Sequence, residues 1–359
     1  MSGSFREARA RATLACQLLS AHLELTYRCN ARCAHCYQSI RSAEGELDVS
    51  AWISAVEQVR EAGALFASIS GGEPLLSPHF WPVAERARQL GMGIRVFTNG
   101  LLLSRVCVDR LAQLRPASVE VSIFSLRPPA HDAVTGVPGS LGKTLRGLFR
   151  LRDAGVVTVL KCPLLAASAS DHDLVLRLGE RLGAGVVFDP LISPRTDGHP
   201  GPLRCRGEDS TLQALLADPA MTRSRGLTSP IPADLPTCTM GRNQAVISPR
   251  GEVFSCPLHR VSAGSLQEAS LRQIWTQSPV FQKLRTRRFG QLSVCGTCPR
   301  SGYCRRCSAI ALLEDGDLDG PSSRACHIAE LVERAHGVPA PKNAPVPASC
   351  ALPIIPPEG

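Results

Sequence analysis

Three cysteines stand within eight residues in the stretch Cys29-Asn-Ala-Arg-Cys33-Ala-His-Cys36, and Tyr37 follows. The spacing C-x3-C-x2-C places three thiolates on one tight loop. Such a loop can bind three irons of a [4Fe–4S] cube and leave the fourth without a protein ligand, free to coordinate a small molecule. Zinc is the alternative, but a closed zinc site takes four ligands, usually from C-x2-C pairs, and His35 would have to reach from between two of them. A second set lies far downstream: Cys238, Cys256, the run Cys295-x2-Cys298-x5-Cys304-x2-Cys307, and Cys326. Two C-x2-C pairs can also make a tetrahedral zinc site. Zinc ribbons usually separate their pairs by a longer loop, however, and zinc would leave Cys238, Cys256 and Cys326 without a task. Cys16, Cys107 and Cys162 lie in apolar surroundings and read as packing residues; Cys350 is given no role.

The chain has 15 cysteines in 359 residues. Residues 1–20 read as an N-terminal extension and not a secretory signal, because Arg6, Glu7, Arg9 and Arg11 interrupt the apolar stretch. The cytoplasm is therefore the expected location, where clustered cysteines are metal ligands more often than disulfides. No apolar run approaches a membrane span, so no membrane is expected. The formal charge of +9 invites a nucleic-acid partner, yet thiolate-bound clusters would offset about half of it, and aromatics at 4% offer few stacking platforms. No nucleic acid is expected.

The cysteine loop must be held by something rigid. Short β-rich runs at Leu23–Thr26, Leu65–Ser70, Gly93–Phe97, Ser118–Ile123, Val156–Lys161 and Val186–Asp189 alternate with amphipathic segments at Ser50–Ala62, Phe80–Leu90, Ser104–Leu114, Leu141–Ala154 and Asp171–Leu182. Six strands with helices between them imply a parallel sheet, and six is short of the eight that close a barrel. The expected fold class is α/β, an open partial (β/α)6 barrel over 21–193. Working groups then belong on the loops after the strands' C-terminal ends. Residues 194–236, rich in Pro, Gly, Arg and Ser, read as a linker with one short helix near Leu212–Leu216. A small cysteine-rich domain is expected over 237–336, and a Pro-rich disordered tail over 337–359.

The cysteine loop, placed directly after the first strand, resembles the radical S-adenosylmethionine (SAM) superfamily. The resemblance implies a cluster on Cys29, Cys33 and Cys36 whose open iron binds SAM, with an electron from the cluster cleaving SAM to methionine and a 5′-deoxyadenosyl radical. It puts His35 near the adenine and Tyr37 among the SAM contacts. Gly71-Gly72-Glu73-Pro74 matches the family motif that meets the SAM amino group: two glycines permit close backbone approach and Glu73 is an acceptor. Thr98-Asn99-Gly100 and Ser122 sit where similar proteins contact the ribose or carboxylate. Lys161, at the expected end of the fifth strand, could pair with that carboxylate or be solvated. Many relatives carry an Asn a few residues later, where this chain reads Leu164-Leu-Ala-Ala-Ser168.

The downstream set resembles the SPASM domain, which usually binds two auxiliary [4Fe–4S] clusters. Its crossed pattern implies Cys295, Cys298, Cys304 and Cys326 on one cluster and Cys238, Cys256 and Cys307 on the other. Cys205 or an open iron would complete the second. Among SPASM proteins the chain looks most like maturases of ribosomally made peptides, on the stretches 64–74, His131-Asp132 with Thr135-Gly136, and Asp189–Gly198. The implied activity is oxidative modification of a precursor peptide, with a separate leader-binding protein or direct binding by the SPASM region. A flavodoxin or ferredoxin is the implied electron donor. A tetrapyrrole-modifying enzyme of alternative haem synthesis, a sulfatase-type protein maturase and a non-catalytic metal scaffold are the other readings.

Overall fold

The computed structural model describes residues 3–167, 171–217 and 231–336. Ser168, the linker stretch 218–230, the tail from 337 and Cys350 lie outside them.

Among the described residues nine strands form one sheet: β1 (Ser20–Glu24), β2 (Phe66–Ser70), β3 (Gly93–Thr98), β4 (Ser118–Ser122), β5 (Thr158–Pro163), β6 (Gly185–Asp189), β7 (Gln244–Ile247), β8 (Glu252–Phe254) and β9 (Gly264–Ser265). Their order is β6-β5-β4-β3-β2-β1-β7-β8-β9. The first six are parallel and successive, as right-handed βα units require. Strand β7 then adds in parallel to the free side of β1, pairing Ser20 with Gln244 and Leu23 with Ile247, and β8 and β9 follow antiparallel. The cysteine-rich C-terminal segment thus contributes three strands to the barrel sheet.

The helices are α1 (Gly3–Leu14), α2 (Val49–Glu61), α3 (Phe80–Gln89), α4 (Arg105–Leu114), α5 (Pro128–Thr135), α6 (Ser140–Asp153), α7 (His172–Leu182), α8 (Asp209–Ala217), α9 (Leu271–Gln277), α10 (Pro279–Thr286), α11 (Ser308–Asp315) and α12 (Ser323–His336). Alternation along the strands sorts the two faces of the sheet. Ala21, Leu23, Ala67, Ile69, Ile94, Val96, Val119, Val121 and Leu160 join Trp52, Val56, Phe80, Val83, Leu111 and Leu148 of the helices in one core. The opposite, concave face receives His22, Glu24, Ser70, Arg95, Phe97, Glu120, Ser122 and Lys161.

Two strand positions differ from expectation. β1 begins at Ser20, not Leu23, and ends before Thr26. Its ends are set by pairing with β2 and β7 on either side, and the Thr26 hydroxyl is already used on Glu46 Oε1 at 2.8 Å. β5 runs to Pro163, which moves Lys161 from the strand end into its interior, paired in register with Ser122. Helix α5 has no counterpart in the sequence reading. Its signals were present: Pro128 and Pro129 in the first turn and a left-handed Gly136 (φ 67°) after the last.

Candidate functional site

The loop after β1 is fixed along its whole length. Thr26 Oγ1 and Tyr27 N both donate to Glu46 Oε1 at 2.8 Å, Arg32 N and Ala34 N donate to the carbonyls of Thr135 and Val134 at the end of α5, and Arg41 Nη1 donates to Ala31 O at 2.8 Å. Against it lies the turn after β2. Gly72 N donates to Thr26 O at 2.7 Å and Glu73 N to Arg28 O at 2.9 Å. A Cβ on Gly71 (φ 133°) would stand 2.3 Å from Thr26 O, and one on Gly72 2.3 Å from Arg28 O. Both positions therefore require glycine, and the pair clamps the cysteine loop by backbone contact.

Glu73 is fully buried. Its Oε1 accepts from Thr98 Oγ1 (2.8 Å) and Leu75 N (3.2 Å), and its Oε2 from Asn99 N (2.8 Å). Burial pushes its pKa up to about 7 against the pull of these donors. The carboxylate thus organises the loop after β3, and Oε2 keeps capacity for a further donor. Asn99, so held, donates from Nδ2 to Asn30 Oδ1 at 2.7 Å and lies 3.9 Å from Cys29 Sγ. Pro74 opens a 3-10 turn beneath this arrangement. Ser122 ends β4 on the concave face. Lys161 Nζ stands 3.4 Å from Glu120 Oε2 and over the Phe97 ring at 5.9 Å, so it belongs to a charged row inside the barrel.

Burial pushes the Cys33 thiol up to about 12, with Cys36 and Cys29 near enough to add to the effect; Cys29 is raised by burial too. His35 packs on Phe124 at 4.8 Å between ring centroids, its Nδ1 buried with no partner among the described residues, and burial lowers its pKa to about 4. Tyr37 O accepts from Thr196 N at 2.8 Å; burial raises the phenol's pKa, and Glu24 adds to that.

The C-terminal thiols fall into two groups. Burial drives Cys256 to about 12, with the Cys307 and Cys238 thiols close enough to add to the effect, and Cys307 to about 11, with Cys238 and Asp189 nearby. Cys304 is driven to about 12 by burial and then by Cys326, Cys295 and Cys298. Cys256 of the first group is near enough to Tyr37, and Cys307 to Asp189 at the end of β6, for their charges to act on one another. Cys205 is not part of that group. Its carbonyl accepts from Ala166 N at 2.9 Å and its side chain packs with Cys33 against Phe124, Val134, Leu165 and Ile192, whereas Cys238, Cys256 and Cys307 pack against Met240, Leu284 and Ala309.

The sequence reading missed the polar concave face. Glu24 pairs with Arg260 through two hydrogen bonds at 2.6 and 2.9 Å. His22 bonds Ser70, and burial, then Arg95, lowers its pKa to about 3. Arg95 Nη2 donates to Ser68 Oγ at 2.8 Å and lies 3.8 Å from Glu120 Oε1. The available signal was the alternation itself: Ser68 and Ser70, Arg95, and Glu120 and Ser122 stand at every second position between apolar residues of their strands.

These residues fit the implied groups. Among the described residues no three His, Cys, Asp or Glu side chains close on a single-ion position. A cube takes each thiolate on a separate iron, so donor chemistry is the test: three soft thiol donors on one loop, which the glycine pair clamps in place, and a buried nitrogen on His35 that lacks a partner among the described residues.

A family model described as the radical SAM superfamily matches residues 23–166, and one described as an iron–sulfur cluster-binding domain (SPASM) matches 238–299. The mycofactocin maturase MftC of Mycobacterium tuberculosis is 26% identical over 343 residues, covering 89% of this chain and 86% of that protein. The PqqA peptide cyclase of Xanthomonas campestris is 29% identical, covering 90% and 92%. The AdoMet-dependent heme synthase of Methanosarcina barkeri is 27% identical, covering 82% and 92%. Among solved structures, Streptococcus suis SuiB bound to its precursor peptide SuiA superposes with a TM-score of 0.69 at 15% identity, covering 90% of this chain and 79% of that one.

Proposed function

Because the chain belongs to the radical SAM superfamily and carries a SPASM iron–sulfur domain, we propose that it is an enzyme that oxidatively matures a ribosomally made precursor peptide. Cys29, Cys33 and Cys36 would hold the SAM-binding [4Fe–4S] cluster, and the two C-terminal thiol groups up to two auxiliary clusters. Loaded, these sites supply reductive cleavage of SAM to a 5′-deoxyadenosyl radical, together with an electron sink for the oxidation. The rest is done by the protein. The Gly71–Pro74 turn brings backbone to the SAM amino group, and Glu73 fixes Asn99 against the cysteine loop. His35, Tyr37, Thr98, Ser122 and Lys161 are the further residues we assign to the SAM site. Arg95, Glu120 and Lys161 form a charged row on the concave face that can orient a polar side chain.

The observation that carries the reading is three cysteines, Cys29, Cys33 and Cys36, on the loop after β1, with the buried Glu73 holding Asn99 3.9 Å from Cys29 Sγ. Relatives named for peptide cyclisation and peptide binding support a peptide substrate. We place the barrel at 21–193 and the SPASM region at 237–336, and assign the enzyme to the cytoplasm, with a flavodoxin or ferredoxin as electron donor and a separate leader-binding protein as a further partner. No described helix is long and apolar enough to cross a membrane.

The test is anaerobic incubation of reconstituted protein with SAM, dithionite and a short peptide encoded beside its gene. The expected products are 5′-deoxyadenosine and a peptide lighter by two hydrogens. Consumption of a porphyrin precursor in place of the peptide would move the substrate to haem synthesis, which the heme synthase relative keeps in view. If no 5′-deoxyadenosine forms and Cys29→Ala changes nothing, the enzyme reading is wrong.

A further inference from the structure

On the outer, helical side of the sheet, the loop 101–104 after β3 and helix α6 enclose an open groove of about 310 Å³ whose α6 wall is Lys143, Arg146 and Arg150. The three cations are three and four residues apart, so they share one helix face, and all are exposed. None is ion-paired among the described residues; Arg150 Nη1 donates to Leu103 O at 2.9 Å, which fixes that side chain along the groove. The groove continues past Leu102 and Ser104 into an apolar trough with Trp81 and Val106, the latter 72% exposed.

This patch is wired to the cysteine loop. Thr144, next to Lys143, donates from Oγ1 to Asn99 O at 3.2 Å, and Asn99 Nδ2 lies 3.9 Å from Cys29 Sγ. Leu101 N donates to Asn99 Oδ1 at 3.0 Å, so the groove wall and the cluster ligand touch the same asparagine from opposite sides.

We propose that this groove docks an acidic one-electron carrier protein, which delivers its electron to the iron site of Cys29, Cys33 and Cys36 past Asn99. The inference rests on the SAM-cleaving reading, because that chemistry is what demands an electron at this loop. One electron leaves the carrier, which is oxidised, and the iron site is reduced by one; no atom or proton is transferred. Unpaired cations beside a small apolar contact suit a weak electron-transfer encounter steered by charge. An acidic leader peptide would meet the same charges. It must also deliver a side chain to the concave face, though, whereas the groove opens on the helical layer behind it.

The test compares native protein with Lys143→Glu combined with Arg146→Glu, and with Arg272→Glu combined with Lys283→Glu, an equal charge change outside the groove. Binding of a strongly acidic flavodoxin to each reconstituted protein is measured by calorimetry across a salt series, and 5′-deoxyadenosine formation is driven by flavodoxin or by dithionite. The groove variant should bind flavodoxin about tenfold more weakly and lose about tenfold of the flavodoxin-driven rate while keeping the dithionite-driven one. Native binding should weaken with salt, and the control should behave as native. Equal flavodoxin binding by native and groove variant overturns the proposal, as does equal loss in the control. Loss of precursor-peptide affinity with flavodoxin binding intact reassigns the groove to the peptide. Should dithionite yield no 5′-deoxyadenosine from the native protein, the SAM reading fails, and the binding data still decide the docking.

Discussion

Gly72 and Glu73 are adjacent and act in opposite ways, one by having no side chain and the other by burying an ionisable one. Replacing Gly72 with Ala drives a Cβ into Arg28 O, so the cysteine loop must move. The expected outcome is loss of most iron from the Cys29 site with the other sites still loaded, read by iron analysis and by loss of SAM cleavage. Glu73 gives a pH signature. Its folded pKa, raised to about 7 by burial, exceeds the ordinary value of 4.5, so between these the folded state holds the extra proton. The associated stability is complete below the ordinary value and is lost as pH rises through about 7, a change of about 3 kcal/mol. Urea melts at about pH 5 and about pH 8 should therefore differ less for Glu73→Gln than for the native protein. An unchanged difference would mean that the carboxylate is not held neutral. At this scale the cysteines, the glycine pair and Glu73 were legible from type and spacing. What Glu73 bonds was not, because Thr98 and Asn99 arrive from another strand.

The central strands owe their legibility to alternation: β2, β3 and β4 fall within a residue of the expected limits because each buries a continuous apolar face. β1 and β5 shifted because their ends are set by neighbours distant in sequence. The Glu24–Arg260 pair shows why such features escape a sequence reading, since its partners are 236 residues apart. It also offers a test of how the hairpin after β8 is secured to the barrel. Glu24 is 1% exposed and Arg260 17%. Arg260→Met alone strands a buried carboxylate and should cost about 3–5 kcal/mol, whereas Glu24→Leu with Arg260→Met should recover most of it. Thermal melts of the two variants decide this; equal destabilisation by both would show that the pair contributes through shape and not charge.

For the whole molecule, three thiol groups at three places predict about twelve irons per chain after anaerobic reconstitution. Removing Cys256 and Cys307 together should lower this by about four, leave dithionite-driven SAM cleavage in place and abolish peptide modification. Loss of SAM cleavage as well would mean that the Cys238 group supports the first site structurally. The grouping itself was carried by family likeness and not by spacing alone, and the shared sheet was invisible until β7 was seen beside β1. That seam also governs what happens to a severed chain. Backbone hydrogen bonds along β1 and β7, with Leu19 N and Ser20 N both donating to Asn243 O, bind the first strand to the C-terminal half without help from the covalent link. A protease nick between Ala217 and Ile231 should therefore yield two fragments that stay mated through gel filtration, and the halves expressed from separate genes should reunite along that same line.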